Sequence, residues 1–185
     1  MTKQEARAKK EARIWTKEFE RIYENGKLQS APRIVLWGPA PADREGYKKR
    51  KKVELEIRKE HPSAAVLLPE HHEAGKITRA FAINLVLQEL LQAKGADLII
   101  ALAFSPGVSA EIALCLSNHE IARRLIIIAP ESLRKTFLGE LIKVLKVHYV
   151  KDQELVNCKK ARELCRREVR AWVIAKSVGG DLVYA

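Results

Sequence analysis

One carboxylate stands inside an apolar stretch of this 185-residue chain. In ADLIIALAFSPGVSAEIALC, residues 96–115, Glu111 follows an apolar run, a small-residue turn and the first residues of an apolar helix. Positions three and four away share a helical face. For Glu111 they are Gly107, Val108, Leu114 and Cys115, so the carboxylate borders apolar surface rather than water. An acid so placed can act as a nucleophile or steady a cationic sugar transition state, or it can complement the helix dipole. Ser105, Pro106 and Gly107 offer a ligand small side chains and open backbone. Ser105 and Ser109, with nearby N–H groups, suit a phosphate or a sugar hydroxyl. Neither serine lies in a G-x-S-x-G elbow, so serine hydrolase chemistry is not indicated.

A second group of reactive side chains, Glu70, His71, His72 and Glu73, lies in LPEHHEAGK. Glu70 or His71 can protonate a departing base. Adjacent histidines without a third spaced ligand do not make a metal site, and no cofactor is expected. In RIVLWGPAP, Gly38 either lets a ribose or phosphate approach or makes a tight turn, and Pro39 follows it. Trp37 either stacks on a base or belongs to the core. Arg44, Lys48 and Lys49 cluster at the start of a basic helix, where a phosphate is attracted. Asp97 falls at the far end of its strand and is read as structural.

The elements that position these residues alternate along the chain. Apolar runs at 33–38, 64–69, 97–103, 124–129 and 147–150 read as strands, and amphipathic stretches between them read as helices to about His61, over 77–94, from 107, over 132–145 and over 152–176. Continuous apolar runs are what strands buried on both faces require. The expectation is a single three-layer α/β domain over 31–185, with a five-stranded parallel sheet in the flavodoxin-like order 2-1-3-4-5. Residues 1–30 form a charged helical extension whose Ile14, Phe19 and Ile22 can dock on the body. In such sheets ligands bind beyond the carboxyl ends of the strands, where WGPAPADREG, LPEHHE and FSPGVSAE all fall.

Charge and composition bound the function. The net charge of +11 falls largely in KKEAR, YKKRKKVELEIRK and CKKARELCRREVR, where it recurs between apolar residues as on the outer faces of amphipathic helices. With aromatics at 6%, no stacking platform for single strands is supported, and nucleic-acid binding is expected to be weak and independent of sequence. Three cysteines without a CxxC pair point to reduced thiols rather than a disulfide framework. No apolar run reaches a membrane span or a signal-peptide core, so no membrane partner and a cytoplasmic location are expected.

The order of strand, small Pro/Gly/Ser turn and Ala-Glu-Ile-Ala at a helix start resembles the nucleoside 2-deoxyribosyltransferase group. Its wider relatives are the cytokinin-activating phosphoribohydrolases and, more distantly, the Toll/interleukin-receptor-like NAD-cleaving domains. In residue detail the resemblance rests on VLWGPAP, VLLPEH and ADLIIALAFSPGVSAEIAL. It implies attack on, or stabilisation of, the anomeric carbon of a base-linked sugar, with Glu111 as the key carboxylate. The transferases carry an Asp-x-Gly-Thr type turn where this chain has Phe104, Ser105 and Pro106, so hydrolysis of an N-glycosidic bond in a nucleoside, nucleotide or NAD is expected rather than transfer. A module that holds a nucleotide without cleaving it, and a basic protein that binds nucleic acid, are the alternatives. The resemblance also implies a homo-oligomer, since related sites are often completed by a neighbouring subunit.

Overall fold

A computed structural model describes residues 16–26, 30–70 and 85–180. Five strands, β1 (Arg33–Trp37), β2 (Ala65–Leu67), β3 (Leu98–Leu102), β4 (Leu125–Pro130) and β5 (Lys146–Val150), form one sheet in the order β2-β1-β3-β4-β5. Every pairing is parallel. The fold is the expected α/β arrangement. Each strand lies within a residue or two of its apolar run, because a central parallel strand is covered on both sides and shows no polar face: β3 and the first five residues of β4 are buried throughout.

Alternation along the strands divides the interior into two cores. Ile34, Leu36, Ile100, Leu102, Ile126 and Ile128 meet α2 (Arg44–Glu60) and the long helix Lys159–Ser177 on one face. Val35, Trp37, Ile99, Ala101 and Ile127 meet α3 (Leu85–Gly95) and α4 (Pro106–Leu116) on the other. The short helix α5 (His119–Ala122) follows α4 and is capped by the Asn118 side chain. At the amino edge Asp97 accepts from the Arg33 backbone N–H (2.9 Å) and guanidinium (3.1 and 2.9 Å), which ties the start of β1 to that of β3 as its structural reading requires.

Two expected helices are broken. In place of one helix over 132–145 there is a 3₁₀ turn at Glu131–Lys135, α6 (Phe137–Leu141) and a second 3₁₀ turn at Ile142–Val144. Thr136 causes the break: its backbone is extended, its hydroxyl donates to the Leu133 carbonyl (2.7 Å) and accepts from Gly139 N–H (3.2 Å). A Cβ on Gly139 would lie 2.3 Å from the Leu133 carbonyl, so only glycine fits that return. The expected helix over 152–176 is α7 (Asp152–Leu155) and then α8 (Lys159–Ser177), separated at Cys158, whose φ of 59° is left-handed. Of the helix expected over 77–94, residues 77–84 lie outside the described residues.

Residues 16–26 form α1, the charged extension. Its docking residue is Tyr23, 3% exposed, rather than Phe19, which is 53% exposed; Ile22 is half-buried and Ile14 lies outside the described residues. The Tyr23 hydroxyl donates to Glu60 (3.1 Å) and lies 2.8 Å from His61 Nε2, while Arg170 of α8 covers its ring at 4.5 Å. Tyr23 packs with Trp172 and Val173. Among the described residues, no helix is long and apolar enough to cross a membrane.

Strand β5 is held to α8 by Glu168, whose side chain is 3% exposed and accepts from Lys146 (2.5 Å) and His148 (2.8 Å). Burial works to raise its pKa, and the hydrogen bonds from His148 and Lys146 overcome that and hold it down to about 2. A carboxylate depressed in the folded state contributes stability above its unfolded pKa and loses it as pH falls toward the folded value. Denaturant unfolding between pH 5 and 2 should therefore show a loss on the order of 2–3 kcal/mol that Glu168→Gln removes, the variant being weaker at neutral pH and flatter below it.

Candidate functional site at the carboxyl edge of the sheet

The pairing of β1 with β2 ends at Val35 and its pairing with β3 at Trp37, and carbonyls past those points take other donors. Arg50, two turns into α2 and 2% exposed, reaches back to supply them. Its Nε and Nη2 donate to the Leu36 carbonyl (3.1 and 2.7 Å), and its Nη1 donates to Gly38 and Pro39 (3.3 Å each). Nη2 also donates to Glu70 Oε2 at 2.9 Å, which joins the segment after β2 to the segment after β1. The basic run KKRKK conceals this residue in the sequence, although among its five cations Arg50 alone lies both three residues before Val53 and seven before Ile57, on the buried face of α2.

Arg50 explains several neighbours. A Cβ on Gly38 would come within 2.9 Å of Arg50 Cδ and 3.3 Å of Leu102, so Gly38 makes room for the arginine instead of for a ligand. Pro39 is buried against Gly46, where a Cβ would lie 2.6 Å away. Asp43 caps α2 by accepting from Gly46 N–H (3.0 Å). Trp37 is 1% exposed and belongs to the core, so the stacking role does not apply in this conformation. Arg44 is exposed at the head of α2, and Lys48, also exposed, is paired with Glu45 at 2.7 Å.

Across the sheet from Arg50, α4 starts at the end of β3. Ser105 is its N-cap residue in an extended conformation and makes no side-chain capping bond, and Pro106 opens the first turn. That turn holds no acid, so its N–H groups have no local counter-charge. Gly107 is exposed, and a Cβ there would meet nothing within 4 Å among the described residues. Ser109 is half-buried on the same turn. Val108 and Ile112 anchor the helix in the core and carry Glu111 between them.

The Glu111 Oε2 atom is shut off from solvent and has no hydrogen-bond partner among the described residues. Burial, and then the charge of Glu89 on α3, push the Glu111 pKa up to about 8; Glu70 adds to the rise and Arg50 opposes it. A carboxyl complementing the helix dipole would be ionised and would stand in the first turn. Glu111 stands beyond the first turn and its raised pKa disfavours the ionised form, both of which speak against the dipole reading. It is a carboxyl that keeps its proton at neutral pH.

Glu89 itself escapes the sequence reading, because the spacing test used for Glu111 gives a mixed answer there: the positions around it are Leu85, Val86 and Ala93 but also the polar Gln92. Burial raises its pKa as well. One turn beyond Glu111, the buried Cys115 thiol is pushed up to about 12 by burial and by Glu111 and Glu89, which makes it inert as a nucleophile. Trp37 Nε1 and Gln92 Oε1 are likewise buried without partners among the described residues. With Glu111 Oε2 they put one donor and two acceptors, all uncommitted, on one face of the sheet near α3 and α4. Such atoms cost about 1–3 kcal/mol each when nothing satisfies them. His71, His72 and Glu73 lie outside the described residues. Among the described residues no group of three or more His, Cys, Asp or Glu side chains is placed to hold a metal ion.

Removing Arg50 should be costly in two measurable ways. Arg50→Met leaves three carbonyls and Glu70 without their donor and should destabilise the fold by about 3–5 kcal/mol in urea unfolding. It also withdraws the cation that lowers the Glu111 pKa, so the carboxyl should titrate above about 8 when followed by infrared or NMR.

Comparison with family models and with curated proteins gives no match. Among solved structures, the crystal structure of a conserved protein from Enterococcus faecalis V583 is 17% identical to this chain, over 71% of this chain and 99% of its own, with a TM-score of 0.44.

Proposed function

We propose that this chain is an N-glycosidase-type hydrolase that cleaves the base–sugar bond of a nucleoside, nucleotide or NAD, with Glu111 as the catalytic carboxyl. The observation that carries the reading is the half-buried Glu111 carboxyl, whose Oε2 has no hydrogen-bond partner among the described residues and whose pKa is raised to about 8, beside the N-terminal turn of α4. The resemblance of VLWGPAP, VLLPEH and ADLIIALAFSPGVSAEIAL to the nucleoside 2-deoxyribosyltransferase group supports the substrate class. There it implies an ionised Glu111; the raised pKa favours a proton donor instead.

In this mechanism the Glu111 proton passes to the base nitrogen as the C–N bond breaks and its electron pair leaves with the base. Water adds to the anomeric carbon and returns a proton to the Glu111 carboxylate, so the enzyme is restored. The acidic surroundings that keep the proton on Glu111 also favour a positively charged sugar, and the Glu70 carboxylate, held by Arg50, supplies a negative charge to that field. Ser105, Ser109 and the N–H groups of the first turn of α4 are available for a sugar hydroxyl or phosphate.

Purified protein incubated with a panel of nucleosides, nucleoside monophosphates and NAD should release free base, detected by chromatography. Glu111→Gln should abolish release while changing stability by no more than about 1 kcal/mol, since it keeps shape and removes only the titrating group. With Glu111 as donor, kcat/KM should fall as pH rises through about 8. A rise through that range would assign the nucleophilic role, and nucleotide binding without release of any base would leave a binding module in place of an enzyme.

A further inference from the structure

The helices α2 and α8 lie side by side on one face of the sheet. Helix α2 carries eight basic and four acidic residues and α8 seven basic and two acidic, a surplus of nine charges out of the eleven on the whole chain. The basic segments that look scattered in sequence are therefore gathered on one surface. Each helix runs back from the carboxyl end of a strand, so both N-termini, the positive ends of their dipoles, stand at the same edge.

The charge is concentrated where the two helices meet. The Cys158 thiol at the head of α8 lies 3.7 Å from the Lys49 carbonyl of α2 and within the field of Lys49, Lys52 and Arg162. The first turn of α8 begins with Lys159 and Lys160 and holds no acid, which places cations against the dipole they oppose. Between the helices runs a cleft of about 240 Å³ lined by Glu56, Lys159, Arg162, Glu163 and Arg166. Two arginines share the one Glu56 carboxylate there, Arg162 at 3.5 Å and Arg166 at 3.7 Å, and Arg162 Nε is buried without a partner among the described residues. These donors are under-used. Lys49, Lys52 and Lys159 make no ion pair among the described residues.

We propose that the α2–α8 face binds the sugar–phosphate backbone of nucleic acid, independently of sequence, with Lys49, Lys52, Lys159, Arg162 and Arg166 as the phosphate contacts. Row-like positive charge with spare N–H donors matches a row of phosphodiesters. Base stacking takes no part, since Trp172 is 8% exposed and Tyr47 half-buried. A lipid surface fits less well: the apolar sides of both helices are spent on the sheet, and the exposed large apolar side chain on them is Leu55 alone among the described residues.

The test measures binding directly and does not depend on base release. Fluorescein-labelled duplex RNA, duplex DNA and single-stranded RNA of mixed sequence are titrated by anisotropy across a salt series, beside phosphatidylserine vesicles. Five phosphate contacts on a duplex predict a log–log salt slope of about −4 to −5, and affinity on the order of 10⁻⁴ to 10⁻⁶ M at physiological salt. The triple variant Lys49→Glu, Lys52→Glu and Lys159→Glu should lose about three units of slope and at least roughly tenfold in affinity at low salt. The triple Lys94→Glu, Lys135→Glu and Lys143→Glu, which makes the same change in net charge off this face, should bind like the parent; circular dichroism checks that both variants are folded. Equal weakening by both triples, binding insensitive to salt, or binding to vesicles without binding to nucleic acid would each overturn the proposal.

Discussion

Taking the Arg50 guanidinium out of water costs several kcal/mol, and the fold offsets that cost with the carbonyls of Leu36, Gly38 and Pro39 and the carboxylate of Glu70. Much of the carboxyl edge follows from this one constraint. The arginine fills the space a side chain at residue 38 would need, so that position is glycine. The chain must then turn over Pro39 and seat it on Gly46, which brings α2 close to the strand it follows. The segment after β2 is drawn in through Glu70, so two loops that are far apart in sequence share one charged centre.

That centre also sets the chemistry on the opposite face. Among the described residues Arg50 is the cation whose field opposes the rise in the Glu111 pKa, while burial, Glu89 and Glu70 all favour the neutral acid. The balance lands at about 8, close enough to neutrality for the group to exchange its proton during a reaction and far enough above it for the proton to be present at the start. Two helices, α3 and α4, supply the acids; α2 supplies the opposing cation from beneath the sheet. The proton affinity of Glu111 is thus a property of three elements and a strand end, not of its own helix.

What could be read from the residues alone divides along physical lines. The strands were legible because double-sided burial leaves an apolar run, and Glu111 because an acid among apolar helical neighbours breaks a pattern. Trp37 was ambiguous, since a large aromatic at a strand end satisfies either a core or a ligand, and only its near-complete burial decides. Arg50 was hidden because it is one of five consecutive cations, although its spacing of three and seven residues from the buried Val53 and Ile57 puts it on the inward face of the helix. The breaks at Thr136 and Cys158 depend on side-chain capping and on one left-handed residue, which periodicity does not register. Glu89 escaped notice because the polar Gln92, three residues on, gives it the look of a solvated helical acid. The gathering of basic segments onto one surface is topological, since residues 44–60 and 159–177 become neighbours only when β5 takes its place at the sheet edge.

The contact between α8 and the earlier parts of the chain has a consequence for how the polypeptide is made. Helix α8 closes the core face that holds Ile34, Leu36 and Ile100, and it supplies Trp172 and Arg170 to Tyr23 of α1. During synthesis from the N-terminus, α1 emerges before the sheet and waits for a partner that emerges after it. Until residues 159–177 leave the ribosome, one side of the parallel sheet is covered by α2 alone, a half-built state of the kind that holdase chaperones shield.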